Sequence, residues 1–290
     1  MDGSSSRGWA VLAMKSVVTG GAGFIGSHLV DALVEQGREV VVLDRVHPKH
    51  GNPRANYYLH DLASDRDHFA YHFEEAGEVF HLASLISIPY CVDHPSESLT
   101  NNVLAVLHCL EAARLHGVER FVFASSAAVY GNSFFLPSVE TNPVQCLNSY
   151  AVSKHTGEQL CQLYEQLYGL KTVILRYFNV YGNRQHEQGQ YAPVMGVFLR
   201  QKAQGQPLTV VGEGYQTRDF VHVHDVVRAT MLAAQVELEH YGEVFNVGTG
   251  EGVAIEAIAD LISSFQQHQE ARPGEQLHSR ASIAKISEQL

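Results

Sequence analysis

Two side chains four residues apart, Tyr150 and Lys154 in the run Ser149-Tyr150-Ala-Val-Ser-Lys154, could together move a proton. On a helix that spacing places both on one face, although such a pair taken alone is usually surface decoration. A free phenol titrates near pH ~10 and is a poor base at neutral pH. A nearby ammonium favours the phenolate and brings it toward a working range. Ser125 and Ser126 follow the apolar run Phe121-Val122-Phe123-Ala124, which puts two hydroxyls at a strand tip, and Ala127 and Ala128 come next. Ser126 could donate to, or relay from, the same alcohol oxygen as Tyr150. Read alone, the stretch is equally a Ser-rich turn.

A second group of residues could hold phosphate. Thr19-Gly20-Gly21-Ala22-Gly23-Phe24-Ile25-Gly26 lies between a β-rich run and a helix-like one. Gly20 allows a tight turn, Gly23 lets main chain approach a pyrophosphate, and Gly26 lets helix and strand pack closely. The helix start then offers N–H groups to anionic oxygens. Asp44 closes the next strand, where a carboxylate can accept both ribose hydroxyls and repel a 2′-phosphate. That favours NAD over NADP, although Arg45 beside it pulls the other way. A structural glycine turn is the bland alternative. Asp61 and Leu62 follow a further strand end and could meet the adenine; His81-Leu82-Ala83-Ser84 would pass under the cofactor. Both could equally be ordinary strand-end loops. With a cationic nicotinamide beside it, the Tyr150 phenol is further acidified, and Lys154 can bond the nicotinamide ribose. The chemistry implied is hydride transfer at a secondary alcohol.

These residues need a sheet to position them. Lys15–Thr19 reads as a strand. Phe24–Gln36 reads as a helix, with apolar residues at 24, 25, 29, 30, 33 and 34, and Gly37 stops it. The alternation repeats: strands at 40–43, 79–80, 121–124 and 173–175, helices at 99–115 and 150–168. Strands without polar alternation, separated by helices, predict a parallel sheet covered on both faces. After Asn179 the rhythm loosens. Residues 182–191 read as a polar loop over a ligand, helices are expected near 194–204, 225–235 and 255–265, and strands near 208–211 and 244–246.

The 290 residues suffice for one large domain or two modest ones, and 45% hydrophobic with 18% charged residues is ordinary globular composition. A net charge of −11 without a Lys/Arg block argues against nucleic acid as the main partner. The absence of an 18-residue apolar run argues against a membrane span. The four cysteines form neither a CxxC pair nor a compact framework, so a reduced, cytoplasmic chain is expected. Residues 1–13 read as an upstream extension before Met14 rather than a signal peptide. His222 and His224-Asp225 hint at a metal site, but no further ligand stands at metal spacing and Asp225 lies where a helix is capped; no metal is expected.

The ordered set TGGAGFIG, Asp44, DL at 61, HLAS at 81, Asn102, SSAAVYG, YAVSK, LRYFNVYG at 175, RDFVHV at 218 and FNVGTG at 245 resembles the extended short-chain dehydrogenases/reductases, in the NAD-dependent sugar-nucleotide epimerase/dehydratase group. The resemblance spans residues 14–290. It implies an α/β, Rossmann-type doubly wound parallel sheet over 14–178, with a returning segment near 219–247. A smaller α/β substrate domain would take 179–218 and 248–290, and relatives usually continue past such an end. It implies Ser126, Tyr150 and Lys154 as catalytic, and adds Asn102, Ala124, Ser125 and Tyr177 to the NAD site. The substrate side would comprise Ser87, Asn179 and Val210, with Arg218 and Arg272 on a diphosphate and Ser279 beside the sugar. In the family's 4,6-dehydratases an Asp-Glu pair follows the catalytic hydroxyl, and in its decarboxylases a Glu stands in the second slot. Ala127 and Ala128 occupy those slots here, and a methyl cannot move a proton. The pattern therefore resembles the UDP-hexose 4-epimerases, and a small residue at 279 implies room for an N-acetyl group. Open alternatives are an epimerase acting on UDP-glucuronate, a nucleotide-sugar reductase, a different base, or a non-catalytic NAD-binding protein. The helices 99–115 and 150–168 resemble a pair that forms a four-helix homodimer interface.

Overall fold

The computed structural model of the chain describes residues 14–64, 66–133, 135–185, 194–270 and 277–290. The strands are β1 Lys15–Thr19, β2 Glu39–Asp44, β3 Asn56–Leu59, β4 Ala76–His81, β5 Arg120–Ser126, β6 Lys171–Tyr177, β7 Asn179–Tyr181, β8 Leu208–Val211, β9 Thr217–Arg218, β10 Phe220–His222, β11 Glu243–Val247, β12 Val253–Ala254 and β13 Gln266–Gln269. The helices are α1 Phe24–Glu35, α2 Arg66–Phe69, α3 Ile88–Asp93, α4 Pro95–Leu115, α5 Ser149–Tyr168, α6 Val194–Ala203, α7 Val223–Gln235, α8 Ile255–Ile262 and α9 Ala284–Gln289.

Seven strands form one sheet in the order β11-β6-β5-β4-β1-β2-β3, and every pairing in it is parallel. Successive side chains of a strand point to opposite faces, so a run apolar at every position must be covered twice. Val17, Val79, Phe121, Phe123 and Ile174 pack on one face with Val106, Cys109 and Leu110 of α4 and Cys161 and Tyr164 of α5. Val18, Val42, Phe80, Val122 and Leu175 pack on the other with Leu29 and Leu33 of α1 and Val226 and Met231 of α7. The expected doubly wound α/β sheet is what forms.

The later chain returns to this sheet through α7 and β11, whose Glu243–Val247 lies against Val173–Tyr177. The remainder builds a separate small core of Phe198, Leu208, Val210, Ile255 and Ala259. Around it lie the pairs β10–β7, β12–β9 and β13–β8. Among the described residues no helix is long and apolar enough to cross a membrane, and no cluster of His, Cys, Asp and Glu could hold a metal.

Two helix boundaries differ from the sequence pattern by three residues or more. Helix α4 starts at Pro95 rather than Leu99, because proline's fixed φ and missing N–H suit the first helical position, while polar Ser96 and Glu97 hid the start. Helix α8 stops at Ile262, and Gln266–Gln269 instead pairs with β8.

Candidate active site

All seven strands of the main sheet run the same way, so their C-terminal ends share one edge: Thr19, Asp44, His81, Ser126 and Tyr177 each end a strand. Strand order reverses between β1 and β4, and the crevice outside that point is where open α/β sheets bind ligands.

The glycine cradle lies there, and the test of each glycine is what a Cβ would meet. At Gly20, φ is +73° and a Cβ would fall 2.7 Å from the Ala83 nitrogen, so the loop after β1 touches the loop after β4. At Gly26 it would fall 2.2 Å from the Gly20 carbonyl oxygen, closer than any packing allows. Gly23 caps α1 with no side-chain bond, and the first turn, with Phe24 and Ile25, carries no acidic residue. A bare helix start inside a cradle that only glycine permits fits a pyrophosphate. Asp44 accepts from the Ala22 amide at 3.0 Å through one oxygen and from the Arg45 amide at 2.7 Å through the other. It thus braces the cradle, and its remaining lone pairs can accept ribose hydroxyls. Arg45 bonds Asn101 at 3.1 Å and lies 3.9 Å from Asp61, which draws its charge toward neighbouring side chains. The residues present fit NAD.

The floor of the crevice is tied down by side chains. Thr19 Oγ1 accepts from the Ala83 amide at 3.3 Å and contacts His81 Nδ1 at 3.0 Å, while the Leu82 amide donates to the Thr19 carbonyl. His81 is fully buried between Phe121 and Phe123, and burial lowers its pKa to about 3, so it is neutral. Ser84 Oγ lies 3.4 Å from the Leu85 carbonyl. Asn102 is buried, bonding Leu85 through both its oxygen and its nitrogen and donating to Ser153 Oγ at 3.0 Å. Its side chain therefore clamps the 82–87 loop to α4 and α5. Three expected cofactor positions turn inward. Leu62 packs in the core and can offer a ligand main chain only; its carbonyl already meets His108 Nδ1 at 2.8 Å. The Tyr177 hydroxyl bonds Thr230 at 2.6 Å inside the sheet–α7 core. Ser125 donates to Glu158 at 2.5 Å.

Tyr150 and Lys154 stand on α5 over the tip of β5. Asn148 caps that helix by accepting from the Ala151 amide. The Ser126 side chain lies near the Tyr150 hydroxyl. Burial pushes the phenol up to about 12, and Ser126 is the group that pulls it back. Lys154 is buried, 4% exposed, and donates from Nζ to the Ala124 carbonyl at 2.8 Å. Its nitrogen sits 5.8 Å from the Tyr150 ring centroid. Burial lowers its pKa to about 8, and Glu158 and then Cys161 raise it. Within the chain Ser126 eases ionisation of the phenol, and the Lys154 ammonium stands beside its ring. Ala127 is buried beside Val129 and Phe178, and Ala128 donates its amide to Ser126 Oγ at 3.2 Å.

On the other side of the crevice, Ser87 caps α3 and is buried. Asn179 opens β7, with its amide bonded to the Asp219 carbonyl. Arg218 donates to the carbonyls of Thr217 and Leu277. Ser279, 3% exposed, is held by its amide to the Thr217 carbonyl, which brings it beside Arg218. Val210 is a correction: its side chain is fully buried in the small core, so the position can meet a substrate through main chain only. Arg272 and most of the 182–191 stretch lie outside the described residues.

Sequence reading missed two buried hubs. Asp219 accepts from the Thr249 amide and hydroxyl at 2.7 Å each and from the amides of Gly250 and Ala281 at 3.0 Å, tying the chain's end to the loop that carries Arg218. Glu158 joins Ser125 to Arg176 beneath the catalytic face. Both are carboxylates inside quoted motifs or one turn past them; neither spacing distinguishes a buried acid from a solvated one.

Comparison with known proteins agrees with this geometry. Residues 16–248 match the model of the NAD dependent epimerase/dehydratase family. A UDP-glucose 4-epimerase of Mycolicibacterium smegmatis is 38% identical over 247 residues, 82% of this chain and 78% of the relative. The UDP-glucose 4-epimerase of Thermotoga maritima, solved with UDP-glucose, superposes with a TM-score of 0.90 at 33% identity, covering 95% of this chain and 92% of the other. The UDP-N-acetylglucosamine 4-epimerase of Methanobrevibacter ruminantium, in complex with UDP-N-acetylmuramic acid, gives 0.88 at 32% identity over 95% and 91%. The glycine cradle, the Ser, Tyr and Lys at one sheet edge and these likenesses lead to one conclusion: the chain belongs to the NAD-dependent epimerase/dehydratase family.

Proposed function

We propose that the chain epimerises UDP-hexoses at C4, N-acetylated hexoses among them, with the seven-stranded sheet holding NAD and the small C-terminal core holding the sugar nucleotide. The observation that carries this reading is the tip of β5. Ser126 stands near the Tyr150 hydroxyl, and the next two side chains are the methyls of Ala127 and Ala128. Elimination of water or loss of carboxylate needs further proton-handling groups there; epimerisation needs one base that can take and return a single proton.

Bound NAD supplies the hydride acceptor and, for the return, the donor. Tyr150 takes the proton of the C4 hydroxyl as the C4–H bond gives up its hydride, and Ser126 holds the same oxygen. The resulting 4-keto sugar is trigonal at C4, so rotation in the pocket presents its other face for the hydride, and Tyr150 returns the proton. Lys154 holds the ribose. Arg218 and Arg272 suit a diphosphate, since guanidinium forks pair with phosphate oxygens. Two such chains would pair through α4 and α5, in the reduced cytoplasm that four free cysteines suit.

Support for the N-acetyl group is the small buried Ser279 next to Arg218. A filter of this kind is worth only about 1–3 kcal/mol for each group excluded, so dual use with plain hexoses follows. The test is incubation of the purified protein with UDP-glucose, UDP-N-acetylglucosamine and UDP-glucuronate, without added NADH. Conversion of the first two to their C4 epimers supports the reading. A requirement for stoichiometric NADH would make it a reductase, and conversion of the glucuronate alone would overturn the substrate. Ser279→Tyr should abolish turnover of the N-acetyl sugar and spare UDP-galactose; equal loss of both would sink the assignment of Ser279.

A further inference from the structure

Beneath the catalytic face of α5 the same helical step continues once more. Tyr150, Lys154 and Glu158 stand at four-residue intervals, all toward the sheet. The Glu158 carboxylate, 2% exposed, has both oxygens doubly engaged. One accepts from Ser125 Oγ at 2.5 Å and Arg176 Nε at 2.8 Å; the other accepts from Arg176 Nη2 at 2.7 Å and meets His155 Nδ1 at 3.2 Å. Arg176 is equally buried, and its guanidinium lies 4.7 Å from the Tyr130 ring centroid. Ser125 follows Ala124, whose carbonyl receives the Lys154 ammonium, and precedes Ser126, which stands near the Tyr150 hydroxyl. The contacts therefore close a ring: Lys154 to Ala124, along the strand to Ser125, across to Glu158, and back one helical turn to Lys154.

We propose that Glu158, clamped by Arg176, is a positioning residue for the catalytic pair. Its carboxylate fixes the tip of β5 in register with α5, and its negative charge keeps the buried Lys154 ammonium protonated at working pH. This rests on Tyr150 and Lys154 being the catalytic pair. A buried ion pair is a weak route to stability, since hydrophobic replacements of similar volume often do as well, so retention of one here fits a function in placing charge. The groups facing Lys154 are Tyr150, Glu158 and Cys161 on its own helix and His81 from β4, with Arg176 of β6 behind Glu158. Among them Glu158 and Cys161 favour the ammonium. His81 is neutral across the working range, and the Cys161 thiol, held far up by burial, stays protonated. Glu158 is thus the anion that counts.

The sign of the effect separates this role from a merely structural one. With lysine labelled at Cε, the Lys154 resonance, assigned from the spectrum of Lys154→Met, reports its titration by NMR in the full chain without substrate. Glu158→Gln removes the anion and leaves Arg176 uncompensated, so the Lys154 midpoint falls by about one unit or more. Arg176→Gln leaves the anion uncompensated, so the midpoint rises. Both variants break a buried pair and both lower the melting temperature, so a purely structural role would move the midpoint in neither or in the same direction in both. Either of those results overturns the proposal. Should Glu158→Gln fail to fold, Arg176→Gln decides alone, an unchanged or lowered midpoint being fatal. Because the readout needs no sugar, its failure is distinct from failure of the epimerase reading, which shows as absence of conversion by the wild type.

Discussion

Tyr150 is asked to be a base while burial holds its phenol at about 12 and burial holds Lys154 down to about 8. The form that works, phenolate beside ammonium, is then a minority in the chain by itself. A positive charge next to the ring favours phenolate, so adding oxidised NAD should lower the tyrosinate transition followed by absorbance near ~295 nm, and reduced NADH should lower it much less. Tyr150→Phe should lack the transition and lose about 10²–10⁴-fold in turnover, the range for a positioned base, while still binding NAD. A variant as active as wild type would make the chain an NAD-binding protein that does its work elsewhere. The sign with pH follows from the required form: turnover rises with pH as the phenol ionises. Above about 8 Lys154 loses its proton, so growing phenolate and shrinking ammonium offset each other and the profile levels there, its steps belonging to the coupled pair.

Among the elements, the β1–α1 turn carries the strongest constraint. A methyl at Gly26 would have to pass within 2.2 Å of a main-chain carbonyl that cannot swing aside, because Gly20 is pinned by its amide to the Leu43 carbonyl at 2.9 Å. Gly26→Ala should therefore distort the cradle and cost at least tenfold in NAD affinity, read by fluorescence titration. Gly37→Ala is the control: φ is +78° with nothing within 4 Å of the added carbon. It should lower stability by about 1–2 kcal/mol through the left-handed conformation alone, with NAD affinity unchanged. Loss of affinity in both, or in neither, would refute the steric account. This turn, the strand-end acid and the Tyr/Lys step were legible in the sequence because each rests on local spacing. Strand β13, Gln-Gln-His-Gln, was not, since its pairing with β8 comes from neighbours in space and its residues have no apolar alternation. Val210 shares a face with Leu208 through the Leu-Thr-Val alternation, and that face meets Phe198.

At the size of the whole chain the sequence showed that two long helices must cover one face of the sheet, but not how much of their surface the sheet would use. Helices α4 and α5, 21 and 20 residues long, pack on the same face. Their inner residues, Val106, Leu110, Cys161 and Tyr164, are spent on the core. Outside remains a stripe on α5 of Val152, Leu163 and Leu167, joined by Tyr168 and by Leu115 at the end of α4. Leu167 and Leu115 are each 59% exposed, and single exposed leucines are unremarkable. Three on one helical stripe, beside a parallel helix end, make a patch that in solution wants cover. Two helices of ~30 Å laid side by side offer a face on the order of the ~800 Å² per partner that a stable interface buries. The proposed cover is the same face of a second copy, related by a two-fold axis, so each substitution acts twice. Leu163→Glu together with Leu167→Glu should convert a dimer of about twice 32.0 kDa into monomer, read by light scattering after size exclusion. The strand ends that carry the glycine cradle are not touched by these positions, so NAD should bind the monomer still. A wild-type chain that is already monomeric at micromolar concentration, or a double variant that remains dimeric, would put the interface somewhere other than this stripe.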